Sequence, residues 1–283
     1  MKRDDKKLKF PLKGKYLAMV APSFVVDFPY PKILFQLRDL GFDEAVELTF
    51  GAKMVNREYH KILENSKGLA ISSVCPGIVE TIKSKYPQYK KNLIPVDSPM
   101  TATAEICKKI YPSYKIVFIS PCNFKKIEAK FSKNVDYTID YSELREILER
   151  NKLNKKKYRK KEIFFDKFYN DYTKIYPLSG GLSKTVNLKN ILKSEETKII
   201  DWILKVEQFL KNPDKKIKFL DCTFCEGGCI GGPLVISKLP IFFRKKKVLN
   251  YLKSAEKEKI PFKRKGVIKE AEGISFRSEY PNK

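Results

Sequence analysis

The stretch Asp221-Cys222-Thr223-Phe224-Cys225-Glu226-Gly227-Gly228-Cys229-Ile230-Gly231-Gly232-Pro233 constrains this chain more than any other. Two thiols bracket a Glu-Gly-Gly spacer, and a second Gly-Gly pair follows at once. Glycine tolerates positive φ and lets backbone approach a bulky inorganic group where a Cβ would collide. Thiolates are soft donors of the kind that hold iron–sulfur clusters. The run Ile217-Lys218-Phe219-Leu220 leads into the loop and reads as a buried strand.

The same grammar recurs upstream. Gly68 to Val74 runs into Cys75-Pro76-Gly77, and Lys115 to Ser120 runs into Pro121-Cys122. Each short apolar run ends at a cysteine. Open α/β sheets place their sites beyond the carboxyl ends of the strands. Cys75, Cys122, Cys225 and Cys229 are therefore expected to meet at one place, and four thiols are what a cubane cluster requires.

The remaining pattern alternates strands and helices. Strands are expected at 16–20 (ending at Ala21-Pro22-Ser23), at 47–50, and at 175–182, where the run turns into a glycine elbow at Gly180-Gly181. Helices are expected over 31–40, 53–65, 77–85, 101–111, 142–151, 197–210 (carrying Trp202) and 249–257. The expected fold is α/β: two lobes with mostly parallel sheets flanked by helices, and the site in the cleft between them. A basic tail over 1–14 precedes a domain over 15–257. Its lobes are expected at about 15–151 and 166–257, joined by a charged connector at 152–165, with a C-terminal tail over 258–283.

The 283 residues suffice for a sizeable core. Six cysteines behind a charged start, Met1-Lys2-Arg3-Asp4-Asp5-Lys6-Lys7, predict a reducing cytoplasm, where such spacings mean metal or catalysis more often than disulfides. No run approaches the ~18 apolar residues of a membrane span. A net charge of +25 invites nucleic acid, but the basic residues are scattered and no nucleic-acid-binding signature is present. A Lys-rich composition with solvated faces explains most of the charge, and steering toward an acidic electron-transfer partner is the functional alternative.

In order along the chain stand Ser72-Ser73-Val74-Cys75-Pro76, Pro121-Cys122-Asn123-Phe124-Lys125-Lys126-Ile127-Glu128-Ala129, Gly180-Gly181 and Cys225-Glu226-Gly227-Gly228-Cys229. With these motifs the chain resembles the catalytic, H-cluster domain of [FeFe]-hydrogenases over roughly residues 15–257, and within that family its sensory or uncharacterised branches. The resemblance implies that Cys75, Cys122, Cys225 and Cys229 hold a [4Fe-4S] cluster, with Cys229 also bridging to a diiron subcluster where one is present. Lys125 matches the lysine that hydrogen-bonds a cyanide of that subcluster, a role suited to a compact ammonium. Ala21, Pro22, Ser23, Val74, Ser120, Gly180 and Gly181 match cofactor-pocket positions. The implied partners are a ferredoxin-like electron carrier or separate ferredoxin subunit, plus hydrogenase maturation proteins if the diiron site exists. An anaerobic setting and hydrogen sensing come with the same resemblance.

The departures are as informative. Val74 stands where the family has a proton-shuttling cysteine, and Tyr59, Ile62 and Ile94 replace the onward relay of two carboxylates and a serine. Ser120 and Thr223 replace two pocket methionines. Heterolytic H2 cleavage needs a positioned base and a proton path, so slow turnover or sensing is expected rather than rapid catalysis. From the residues alone, the four thiols remain open to a structural-thiol or zinc reading. Cys107 and Cys222 read as core residues, His60 as solvated, and Glu128 as half of an ion pair.

Overall fold

The computed structural model describes residues 8–159, 162–169, 172–278 and 280. Its strands are β1 (Tyr16–Val20), β2 (Glu44–Glu47), β3 (Ala70–Ile71), β4 (Lys115–Ser120), β5 (Tyr137–Asp140), β6 (Thr197–Asp201) and β7 (Phe219–Thr223). The helices are α1 (Lys32–Asp39), α2 (Thr49–Glu64), α3 (Pro76–Lys85), α4 (Pro99–Ile110), α5 (Asn123–Phe131), α6 (Tyr141–Arg150), α7 (Gly181–Thr185), α8 (Ile203–Lys211) and α9 (Ile241–Ala255).

Among these residues the strands form two all-parallel sheets, one ordered β2-β1-β4-β5 and the other β3-β7-β6. Parallel sheets need cover on both faces, and the central strands have the sequence for it. Leu17, Met19, Ile116 and Phe118 face one core, in which α2 and α4 pack. The alternate residues Ala18, Val20, Val117 and Ile119 face a second core with Ile33, Leu34 and Leu37 of α1 and Leu144 and Leu148 of α6. The second sheet packs Ile71 and Leu220 against Ile78 and Ile82 of α3 and Val206 and Leu210 of α8. At α6 a capping box holds the start: the Glu143 N–H donates to Asp140 Oδ1 at 2.9 Å, and the Asp140 N–H donates to Glu143 Oε2 at 2.7 Å.

Several local expectations fall to tertiary pairing. Residues 197–210 do not form one helix. Thr197–Asp201 pairs in register with β7, and Trp202, at φ +73°, ends the strand before α8 begins. The apolar periodicity was real, but β-branched Ile199 and Ile200 fit a sheet edge equally well. Residues 175–182 hold a 3-10 turn (Tyr172–Ile175) and the short α7, with Gly180 left-handed between them, so no strand forms there. Strand β2 ends at Glu47, and Thr49 and Phe50 already belong to α2.

The lobes are also not continuous in sequence. Strand β3 lies in the first half of the chain yet hydrogen-bonds to β7, because its apolar residues complete the second core. The segment 258–283 is no free tail in its described part. Val96 bridges Arg277, the Asp97 N–H donates to the Phe276 carbonyl at 2.9 Å, and Phe276 is buried. Likewise Leu12, within the expected basic tail, is buried, and its N–H donates to the Leu40 carbonyl at 2.8 Å.

Candidate metal centre

The three segments that carry the four cysteines leave the carboxyl ends of β3, β4 and β7, which is where crossover topology opens a crevice. Cys75 and Cys122 are the N-cap residues of α3 and α5, so both sit where helix N–H groups are unsatisfied. The Phe224 N–H donates to Cys75 Sγ at 3.5 Å. Burial pushes the Cys122 thiol up to about 11 and adjacent Cys75 adds to the rise, while the N–H groups of Lys125 and Phe124 oppose it. Burial, then Cys75 and Cys122, push Cys225 up to about 12. Cys229 is raised further, by burial first and then by the other three thiols. Its own exposure opens onto the cavity whose wall it forms.

That cavity, of about 110 Å³, is lined by Cys75, Cys122 and Cys229 together with Ala21, Pro22, Ser23, Val74, Ser120, Lys125 and Thr223. Cys225 lies just outside the lining, its Sγ 4.0 Å from where a Cβ on Gly232 would sit. Gly180 and Gly181 are not lining residues. Their job is packing, since a Cβ on Gly181 would sit 2.4 Å from the Ile175 carbonyl oxygen. In the cysteine loop the constraint is tighter still: a Cβ on Gly231 would lie 1.7 Å from the Glu226 carbonyl oxygen.

Lys125 reaches the wall with its ammonium held at both ends of its reach. Nζ donates to Glu128 Oε2 at 2.6 Å and to the Val74 carbonyl at 3.2 Å. Behind Val74 lies a layer with no carboxylate in it, formed by Tyr59, Ile62 and Ile94. Tyr59 and Ile94 are buried and Ile62 is half-buried. The Tyr59 hydroxyl accepts the Ser73 N–H at 2.8 Å, and Ser73 Oγ donates to the Ile94 carbonyl at 2.5 Å. Burial holds the Tyr59 hydroxyl above the usual tyrosine range.

The wall contains residues that sequence reasoning passed over. Asp221 is buried and accepts the Ser183 N–H at 2.9 Å, and burial raises its carboxyl despite that bond. Strand alternation was the available signal, since Asp221 and Thr223 share a face of β7 and Cys222 takes the other, toward Ser72. Met100, from the start of α4, also lines the cavity, so a methionine reaches the wall from an element other than those of Ser120 and Thr223. Cys107 is fully buried, away from the wall, and His60 is half-buried on α2.

The donor chemistry fits an iron–sulfur cluster. Cys75 adds to the proton affinity of Cys122, and both add to that of Cys225 and Cys229, so the four thiols share one locale, while among the described residues no three His, Cys, Asp or Glu side chains converge on a position for a single metal ion. Three of the thiols line the cavity and Cys225 stands just outside it.

Two parallel sheets meeting at a thiol-lined crevice define the hydrogenase H-domain fold. The chain belongs to the family described as iron-only hydrogenase large subunit, C-terminal domain, whose profile matches residues 14–233. It is 26% identical over 257 residues to iron hydrogenase 1 of Clostridium pasteurianum, covering 71% of this chain but 44% of that relative, so it spans under half the relative's length. An [FeFe]-hydrogenase structure solved to follow stepwise H-cluster assembly superposes with a TM-score of 0.60 at 15% identity, covering 90% of this chain and 86% of the other. A variant of the Chlamydomonas reinhardtii [FeFe]-hydrogenase gives 0.61 at 15% identity, over 89% and 85%.

Proposed function

We propose that this chain holds a [4Fe-4S] cluster on Cys75, Cys122, Cys225 and Cys229, and a diiron subcluster in the adjoining cavity, serving H2 sensing or slow H2 oxidation and proton reduction. The observation that carries this reading is the convergence of the four thiols at strand ends beside one cavity. When bound, an H-cluster supplies an open iron site that polarises H2. Lys125 would orient the ligands of that site through its ammonium, from which Glu128 can be displaced without leaving the carboxylate bare, because the Thr101 hydroxyl also donates to it at 3.3 Å. The apolar wall of Val74, Ala21, Pro22 and Met100 would keep water out.

Redox use calls for an external carrier, and a ferredoxin-like acidic protein is the natural one. Trp202 and Leu204 on one side of the Cys225–Cys229 loop, and Phe242 and Phe243 on the other, are exposed. Lys205, Lys245 and Lys246 lie in the same segments. Maturation proteins are required for the diiron part. Among the described residues no helix is long and apolar enough to cross a membrane.

The carboxylate-free layer of Tyr59, Ile62 and Ile94 favours a second reading, a non-catalytic [4Fe-4S] protein for electron transfer, cluster assembly or regulation. Infrared spectroscopy of anaerobically matured protein, with iron and sulfide analysis, separates the two. CO and CN stretches support the first, their absence with four iron atoms supports the second, and absence of iron overturns both.

A further inference from the structure

The familiar way out of the cavity is closed by apolar side chains, yet another face carries ionisable groups outward. It begins where Lys125 meets Glu128, a carboxylate only 4% exposed. Thr101 Oγ1 donates to the second oxygen of Glu128 at 3.3 Å. Thr101 lies on α4, and residues spaced by four stack along one helix face. That spacing places Glu105 one turn beyond Thr101, with Lys109 following, while Asp97, ahead of the extended N-cap Ser98, lies close enough to Glu128, Lys125 and Glu105 to interact with their charges.

The C-terminal segment covers this face. The Asp97 N–H donates to the Phe276 carbonyl at 2.9 Å, and Lys109 Nζ donates to the Glu272 carbonyl at 2.6 Å. Asp97 is 5% exposed, and Glu105 has a buried carboxyl oxygen, Oε2, that no protein group bonds among the described residues. A buried, unpartnered carboxyl oxygen is expensive unless it carries or receives a proton.

We propose that Glu128, Thr101, Asp97 and Glu105 form a line for proton exchange between the Lys125 end of the cavity and the surface beneath residues 268–278. The line is a property of the metal-free chain, and its purpose rests on the reading of the cavity as the reaction space. The first transfer breaks an N–H bond of the Lys125 ammonium and forms an O–H bond on Glu128, each later one breaks one O–H bond and forms one on the next oxygen, and no electron moves. The Thr101 hydroxyl takes a proton from Glu128 as it gives up its own. The proton then resides on Asp97 or Glu105 as a neutral acid until water accepts it.

The proton affinities of Asp97 and Glu105 suit such exchange. Burial, chiefly, pushes Asp97 up to about 6, with the Glu128 charge adding to the rise and the Ser278 hydroxyl and Lys125 opposing it. Burial, with the Asp97 charge, pushes Glu105 up to about 8. Both values bracket neutral pH, where a carrier must load and unload.

The test uses metal-free folded protein with 15N-labelled lysine, reading by NMR the exchange of Lys125 ammonium protons with water. Glu105→Gln is expected to slow that exchange by about tenfold or more near neutral pH, with Glu105→Asp restoring part of it, and Asp97→Asn is expected to slow it likewise. Lys126, held by Asp140 and Glu143, is expected to exchange at an unchanged rate. Unchanged Lys125 exchange in folded Glu105→Gln overturns the proposal, and this variant decides the matter if Asp97→Asn fails to fold. Failure of cluster insertion would leave the measurement intact, so the two readings fail separately.

Discussion

The Tyr59 hydroxyl of α2 and Oγ of Ser73, the residue just before Val74, lie 3.1 Å apart, both buried. This hydroxyl pair ends at the Ile94 carbonyl, which cannot pass a proton on. The path is closed by more than one residue.

Val74→Cys alone is therefore expected to yield far less than the ~100-fold that a working acid–base group contributes. H2 evolution from reduced viologen by matured protein measures it. A gain of that size in the single variant would show that Tyr59, Ile62 and Ile94 do not close the route.

Serine replacement should divide the six cysteines. Cys75→Ser, Cys122→Ser, Cys225→Ser and Cys229→Ser are each expected to lower iron per chain after anaerobic reconstitution. Cys107→Ser should keep its iron and lose roughly 1–3 kcal/mol of stability, because it places a hydroxyl in a fully buried apolar site. Iron loss confined to Cys107 or Cys222 variants would reassign the ligands.

Gly231→Ala tests the loop backbone. Its Cβ would sit 1.7 Å from a carbonyl oxygen of the same loop, so backbone has to move. Iron content is expected to fall with all four thiols still present, and full incorporation would count against the loop geometry.

Lys174 and Glu47 form a buried ion pair, at 0% and 1% side-chain exposure, with Lys174 Nζ also donating to the Tyr251 hydroxyl at 2.8 Å. Lys174→Met is expected to cost about 3–5 kcal/mol by leaving Glu47 uncompensated. Adding Glu47→Leu should recover much of that loss in urea denaturation; no recovery would mean the cost lies in packing.

Glu105 sets a pH dependence. Its carboxyl is held at about 8 in the fold against 4.5 ordinarily, so the folded state binds the proton more tightly. Below the ordinary value both states are protonated and no penalty exists. As pH rises from about 5 toward about 8 the unfolded chain loses its proton first, and stability falls. Glu105→Gln should flatten this slope and be the more stable protein at alkaline pH, as measured by denaturation at both ends of the window.

Much of the centre was legible beforehand because its signals are local. The strand Lys115–Ser120 ends at its cysteine as its apolar run implies, and Pro76 and Gly77 open a helix after Cys75 as their chemistry dictates. What failed was segment type wherever two periods fit the same residues. Ile199 and Ile200 satisfied a helical stripe and a strand edge alike, and register with β7 decided between them. Gly180 and Gly181 announced a close approach, but only the fold shows that it is to Ile199 and the Ile175 carbonyl rather than to the cavity.

The amino-acid order by itself determined which residues end buried strands, where helices begin, and that thiols and glycines sit at those junctions, because hydrophobic period and backbone freedom are written residue by residue. Only the tertiary structure decided that β3 joins β7 across 150 residues of chain, that the C-terminal segment covers Asp97, and that Asp221 and Met100 share the thiols' cavity. Those outcomes follow from which buried faces complement one another, a relation between distant segments that no single segment carries.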